Sequence, residues 1–226
     1  MNKKLSRISL SGYMCRYLWA ICLVTSISTC SLVALANNAV NSDLGPWSIL
    51  LYRGSTATQA FAELLGGKYN SAGEDLYTAE LAYTLDQSNV IRKFFRPVFD
   101  LVQVAGNVTY RHDYNQHDDV TEGNLYLIWR FTKFPWEHYL KNSIAIGDGI
   151  SYASHSPYAD RNPAIPASNY SKLLNYLMLE VTFAAPLYPA LQLALRIHHR
   201  CTVWGTFPKK ANAGSTSIGL GVRYYF

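Results

Sequence analysis

Apolar and polar residues alternate strictly along two segments near the end of the chain. Along 191–198, leucine or isoleucine occupies every odd position, and the even positions are polar or small. Along 217–226, apolar residues occupy every even position, and the printed sequence ends on Phe226. A period of two turns successive side chains to opposite faces of a β-strand, so each segment predicts a strand with one apolar face.

Six earlier segments show the same alternation. They cover about 47–52, 76–85, 99–112, 125–131, 143–153 and 173–183. After position 36 no apolar run approaches the roughly 20 residues that a membrane helix needs. Eight alternating segments of this length predict an all-β fold, an eight-stranded antiparallel transmembrane β-barrel. A final strand that ends on phenylalanine resembles the C-terminal signature of Gram-negative outer-membrane barrels, which implies that Phe226 is recognised by the barrel-assembly machinery.

The first 36 residues have the three parts of an export signal. The basic residues of its leading part are Lys3, Lys4, Arg7 and Arg16. An apolar stretch follows at 17–33, and Ala34-Leu35-Ala36 forms a small-residue cleavage site. We therefore interpret 1–36 as a signal peptide and 37–226 as the barrel. A lipoprotein signal at Cys30 and a retained membrane anchor are the alternatives.

Removal of this leader changes the charge and the cysteine content. The whole chain carries 20 Lys and Arg against 15 Asp and Glu, but four of the basic residues and none of the acidic ones precede position 37. The remaining net charge of about +1 gives no electrostatic footprint for nucleic-acid binding. Cys201 is the single cysteine after position 36, and the sequence contains no metal-ligand spacing or phosphate-binding loop. We expect no cofactor and no metal.

The parity of each strand assigns its charged residues to the barrel interior. The residues assigned inward are Glu80, Arg111, Arg130, Glu180, Arg196, His198 and Arg223. Eight strands enclose a space that side chains fill, so we expect these groups to neutralise one another in a packed polar core. A proton relay or a channel is the alternative.

Asp148 is the exception to this pattern. It has the parity of the apolar face of its strand, between Gly147 and Gly149. An ionised carboxylate that faces hydrocarbon costs a few kcal/mol. We expect a glycine-assisted bulge to turn Asp148 into the lumen. The alternative is a functional position near the outer headgroups.

Four connections contain notable residues. Segment 59–65 fits one or two helical turns stopped by glycine, and we interpret it as an ordinary loop, with a lid as the alternative. Segment 88–97 is basic and aromatic and fits a long turn at the periplasmic membrane interface, with a partner-binding helix as the alternative. Segments 113–123 and 154–170 are hydrophilic and are assigned to the extracellular side.

His199 and Cys201 share the apolar, lipid-facing parity of their strand. The segment 196–202, with sequence RIHHRCT, resembles the H-x-S segment of the outer-membrane lipid A 3-O-deacylases, the PagL-type acyloxyacyl hydrolases. The resemblance implies an eight-stranded barrel that hydrolyses an acyl ester of lipid A, without a metal, through a His, a Ser and a Glu on its membrane-facing exterior. His199 matches the histidine and Cys201 matches the serine.

The segment departs from the family pattern at three points. Cys201 replaces the serine, Thr202 replaces the asparagine that follows it, and no Asp or Glu occurs after Glu180. A thiol is intrinsically a good nucleophile, and a histidine alone can act as its base. Loss of the acid lowers the rate by orders of magnitude in triads generally. The residues that we consider for orienting or oxyanion help are Thr202, Asn212, Ser215 and Ser217.

Three hypotheses therefore remain open. The lipid-facing His199 and Cys201 favour an esterase that acts on lipid A, and the missing acid opposes it. The loops 113–123 and 154–170 favour an adhesin or another surface-interaction barrel. A purely structural outer-membrane barrel requires none of these features.

Overall fold

The computed structural model describes residues 44–115, 117–161, 170–202 and 214–226. The predicted signal peptide and Asn212 lie outside these ranges. In the described part, eight antiparallel strands form a closed barrel, in which each strand pairs with its neighbours in sequence and the last pairs with the first. The predicted eight-stranded antiparallel barrel is therefore confirmed.

Most of the strands are longer than the alternation alone predicts, and the third is one residue shorter. They are β1 (Trp47–Ala57), β2 (Ser71–Thr84), β3 (Leu101–Asp113), β4 (Val120–Phe131), β5 (Lys141–Ala153), β6 (Leu173–Ala184), β7 (Leu191–Cys201) and β8 (Gly214–Tyr225). Strands β2 and β4 each begin five residues before the predicted start, so part of the predicted loop 113–123 belongs to β4. No helix among the described residues is long and apolar enough to cross a membrane.

Short helical elements occupy three of the connections. Helix α1 (Phe61–Leu65) lies between β1 and β2, helix α2 (Val90–Phe95) between β2 and β3, and a 3₁₀ turn (Tyr158–Asp160) between β5 and β6. We call the end at which β1, β3, β5 and β7 finish the loop end, and the other the terminal end. Helix α1 and the 3₁₀ turn therefore lie at the loop end, whereas α2 lies at the terminal end.

Ion pairs fill the interior of the barrel. All seven charged or titratable residues that parity assigns inward are at most 2% exposed, which confirms that assignment. At the centre, Glu180 accepts hydrogen bonds from Arg130 at 2.6 Å, from Arg196 at 2.6 Å and from Arg223 at 3.1 Å. Glu80 accepts from Arg196 and Arg223 as well. Each of these buried guanidinium groups thus faces a carboxylate, which satisfies the requirement for burying charge.

A second interior cluster lies nearer the loop end. Arg111 donates to Glu74 and to Glu122, and Arg200 donates to Asp160 at 2.8 Å. The 3₁₀ turn carries Asp160 into the barrel, where it is 1% exposed. Sequence reasoning did not assign these three acids inward, because it placed them in connections or outside the predicted strands.

The prediction of a β-bulge at Asp148 is wrong. Strand β5 keeps a continuous register with β4 and β6 through this segment, and Asp148 lies opposite Leu127 and Leu177 on the outer face. The adjacent Gly149 has a different explanation. A Cβ atom at this position would lie 2.2 Å from the carbonyl oxygen of Leu125, so close approach of β4 requires the glycine. The Asp148 side chain therefore faces outward.

We predict that Glu180→Ala destabilises the barrel strongly. The change leaves three buried arginines short of a carboxylate, and breaking a buried pair costs about 3–5 kcal/mol. Denaturant unfolding in detergent measures the effect. Asp75→Ala is the control, because Asp75 pairs with a largely exposed Arg53, and such surface pairs contribute at most about 1 kcal/mol. Equal unfolding midpoints for the two variants would contradict the central role of Glu180.

Candidate active site

His199 and Cys201 lie on the outer face of the barrel, at the loop end of β7. His199 is opposite Leu177 on β6 and Thr216 on β8, and both His199 and Cys201 are half-buried. The intervening Arg200 points inward and is 0% exposed. The alternation therefore places the imidazole and the thiol on the same outer surface, as parity predicts.

Thr216 orients the imidazole. Its Oγ1 lies 2.9 Å from Nδ1 of His199, and the threonine is 2% exposed. The hydroxyl oxygen can accept a hydrogen bond from Nδ1–H, and in this tautomer Nε2 carries the lone pair that a base needs. Thr216 thus supplies a hydroxyl partner for the imidazole from the neighbouring strand. The sequence carried a signal for it, since its parity on β8 is that of the outward Ile218.

The hydroxyl groups of Ser215 and Ser217 do not contact His199, whereas the backbone of Ser215 hydrogen-bonds to its ring. Ser215 donates to Asp160 at 2.5 Å, and Ser217 shares a hydrogen bond of 2.9 Å with Thr56. Both serines are buried inside the barrel, on the opposite side of the wall from the imidazole. Neither hydroxyl group therefore lies beside the base. The physical reason is the alternation itself, which turns only Thr216 outward.

Thr202 follows the end of β7 and is half-buried. No described hydrogen bond joins its side chain to His199 or to Cys201. The structure thus gives its position at the rim of the site without assigning it a contact there.

Asn175 and Asp148 extend the site across two more strands. The Cys201 thiol lies 3.7 Å from Oδ1 of Asn175, which is directly opposite on β6. Nδ2 of Asn175 donates to Asp148 Oδ1 at 2.9 Å and to the carbonyl of Gly149 at 2.8 Å. A row of outward polar side chains therefore crosses β5 to β8. Sequence reasoning missed Asn175 because the cross-strand register is needed to place it beside the thiol.

Helix α1 packs on the outer wall beside the imidazole. The Phe61 ring lies 5.0 Å from the His199 ring, measured between centroids, with a tilted geometry. On the same helix, Leu64 is buried with Ala57 and Ile197. The helical turn anticipated for 59–65 is present, and it shields one side of His199 with apolar contacts.

The loop between β3 and β4 is an ordered surface distinct from this site. Asp119 accepts hydrogen bonds from the Tyr110 hydroxyl and from His112 Nδ1, at 3.0 Å for the latter, and these bonds lower the pKa of the Asp119 carboxyl group. The His117 ring stacks on Tyr158 of the 3₁₀ turn, with centroids 3.6 Å apart. Two connections at the loop end are therefore joined into one surface.

Comparison with known proteins gives structural neighbours only. No protein-family model matches the chain, and no curated protein sequence matches it. The crystal structure of the outer membrane enzyme PagL is similar, with 13% identity, coverage of 78% of this chain and 98% of that chain, and a TM-score of 0.49. The N-terminal β-barrel domain of Pseudomonas aeruginosa OprF is similar with 13% identity, coverage of 81% of this chain and 99% of that chain, and a TM-score of 0.41. Neisserial surface protein A is similar with 11% identity, coverage of 80% of this chain and 98% of that chain, and a TM-score of 0.45. Similarities of this size carry no information on activity.

Among the described residues, no group of three or more His, Cys, Asp or Glu side chains is arranged to hold a metal ion.

We predict that Cys201 is reachable from the membrane but not from the barrel interior. In vesicles, a small membrane-permeant maleimide should label Cys201, and a large water-soluble maleimide should not. The matched control carries Cys201→Ala together with Ser217→Cys, which places a thiol at a fully buried interior position. This control should stay unlabelled until the barrel is heated. Equal labelling of the two folded proteins would contradict the outward orientation.

Proposed function

We propose that this chain spans the outer membrane of a Gram-negative bacterium and hydrolyses an acyl ester of a membrane lipid, with lipid A as the expected substrate. Cys201 is the nucleophile and His199 is its base. The observation that carries the proposal is the imidazole held by Thr216, two residues from Cys201 on the same outer face of β7.

The outer surface of the barrel supports the membrane location. Large apolar side chains in the middle of the strands are strongly exposed, as for Leu51 at 61% and Val108 at 60%. Exposed aromatic residues lie near both ends of the strands: Tyr77, Tyr110 and Tyr152 towards the loop end, and Trp47, Tyr83, Tyr224 and Phe226 towards the terminal end. An apolar band between two aromatic girdles is typical of transmembrane barrels. Water-soluble monomers rarely expose so large a contiguous apolar surface.

The position of the site along the strands suits a lipid ester. Cys201 is the last residue of β7, and Thr216 is the third of β8, so the row lies near one edge of the apolar band. The ester bonds of a membrane lipid lie at the boundary between headgroups and hydrocarbon. A lipid in the adjacent leaflet can therefore bring its ester to this height without leaving the membrane.

The proposed reaction has two steps. His199 Nε2 takes the thiol proton as Cys201 Sγ attacks the acyl carbonyl carbon, and the proton then passes to the departing alcohol oxygen as its bond to carbon breaks. A thioester on Cys201 results. Water, deprotonated by Nε2, attacks the thioester, and the sulfur leaves and regains a proton. The products are a fatty acid and the deacylated lipid, with no net change in oxidation state.

Thr216 limits this chemistry. A neutral hydroxyl fixes the orientation and tautomer of His199, but it does not stabilise the imidazolium ion as a carboxylate does. We therefore expect a slow enzyme, whose dependence on a thiol offsets part of the loss because a thiol ionises more readily than a hydroxyl.

A surface-interaction barrel is the second candidate function. The joined connections of Asp119, His117 and Tyr158 at the loop end favour it. This function would be indifferent to changes at Cys201 and His199.

We also propose that Phe226 is the signal read by the barrel-assembly machinery. Its side chain is 54% exposed, while its N–H donates to Trp47 at 2.9 Å. Deletion of Phe226 should lower the fraction of heat-modifiable, assembled barrel in outer membranes. Normal assembly without Phe226 would contradict this role.

Mass spectrometry of lipid A incubated with the purified barrel tests the enzymatic function. We expect slow loss of one ester-linked acyl chain. Cys201→Ala and His199→Ala should abolish it, whereas Cys201→Ser should lower it without abolishing it, because a hydroxyl ionises less readily than a thiol. Thr216→Val should lower the rate by up to about tenfold, because it removes one hydrogen bond to the imidazole.

His112→Ala is the matched control, since His112 is also a histidine near the loop end but belongs to β3. It should leave acyl loss unchanged. An unmodified barrel that removes no acyl chain, under conditions where a known deacylase does, would sink the enzymatic proposal and favour the surface-interaction function.

A further inference from the structure

Asp148 occupies a costly position. Its carboxylate faces outward between the apolar side chains of Leu127 and Leu177. In the described part of the chain it takes part in no ion pair, and its hydrogen-bond donor is Asn175 at 2.9 Å. A carboxylate on a lipid-facing surface costs up to a few kcal/mol, depending on depth. The contact with Asn175 is the feature that accounts for it.

The amide orientation of Asn175 is fixed by its neighbours. Its Nδ2 donates to two acceptors, Asp148 Oδ1 and the carbonyl of Gly149. Reversing the amide would place Oδ1 against both of these oxygens, so only one orientation satisfies the hydrogen bonds. In this orientation Oδ1 faces the thiol of Cys201, 3.7 Å from the sulfur. Asn175 is itself 7% exposed, which confines the amide.

We propose that Asp148 and Asn175 are positioning residues for the thiol: Asp148 fixes the Asn175 amide, and the amide carbonyl holds the S–H of Cys201 at rest. The inference deepens the proposed hydrolysis and rests on it for its biological role. At rest the thiol donates its hydrogen bond to Asn175 Oδ1, and the side chain must rotate towards Nε2 of His199 before the sulfur can react. The pair thereby restrains a nucleophile that is embedded in the outer wall.

This restraint has a measurable consequence that does not depend on hydrolysis. The S–H···O contact stabilises the unreacted thiol, so its removal should speed attack by the sulfur on any small electrophile. N-ethylmaleimide reports this directly, because each alkylation consumes one thiol. We expect Asn175→Leu and Asp148→Leu to raise the alkylation rate of Cys201 by about threefold to tenfold, the range that corresponds to one hydrogen bond.

Two further variants separate positioning from other effects. Asp148→Asn keeps an acceptor oxygen for the Asn175 amide and should keep the rate within about twofold of that of the unmodified barrel. Ile144→Ala is a control on the same face of β5, with 49% exposure and no role in the site. It should leave the rate unchanged. Heat-modifiable migration establishes that each variant is folded before its alkylation is measured.

Each outcome decides the inference. Faster alkylation in both leucine variants, with Asp148→Asn near the unmodified rate, supports it. A folded Asp148→Leu barrel within twofold of the unmodified rate overturns it, and so does an Asp148→Asn rate as fast as that of Asp148→Leu, which would assign the effect to charge alone. Absence of lipid hydrolysis would refute the proposed function without changing these rates, so the two failures are distinguishable.

Discussion

The structure depends on one constraint: in a closed sheet every side chain must face either the interior or the outer surface. Closure pairs every strand with two neighbours, so the backbone is satisfied and cross-strand register fixes which side chains adjoin. Five arginines then face acids inside, while apolar residues and the candidate site lie outside. A shift of one residue in β7 would exchange His198 with His199 and would destroy both arrangements.

The interior network also supports the outer site mechanically. Cys201 and His199 flank Arg200, which is held by Asp160, and Thr216 lies between two serines that are bonded inside the barrel. Each outward group is therefore attached to a backbone that buried ion pairs or hydrogen bonds keep in place. Since such networks restrict the motion of their strands, the distance between His199 and Thr216 is set largely from within.

Much of this arrangement could be predicted from sequence. Alternation alone predicts the strands, the inward charges of residues such as Glu180, and the shared outer face of His199 and Cys201. It does not give the register between strands, and Thr216 and Asn175 enter the site only through register. The bulge expected at Asp148 failed for a related reason. The energetic cost of exposing the Asp148 carboxylate to lipid favoured an inward side chain. The amide of Asn175, which hydrogen-bonds to this outward carboxylate, lies 27 residues away in sequence and could not be placed beside it without the register. Asp160 was missed because a connection carries it into the barrel.

The proposed hydrolysis requires that Cys201 form a covalent bond with an acyl chain of a membrane lipid. The most direct measurement is the intact mass of the barrel after brief exposure to lipid A, followed by location of any added mass. We predict an acyl group on Cys201 that neutral hydroxylamine releases, as expected for a thioester, and no such group in His199→Ala. Acyl loss from the lipid with Cys201 unmodified at every time point, or no acylation of Cys201 under any condition that keeps the barrel folded, would contradict it.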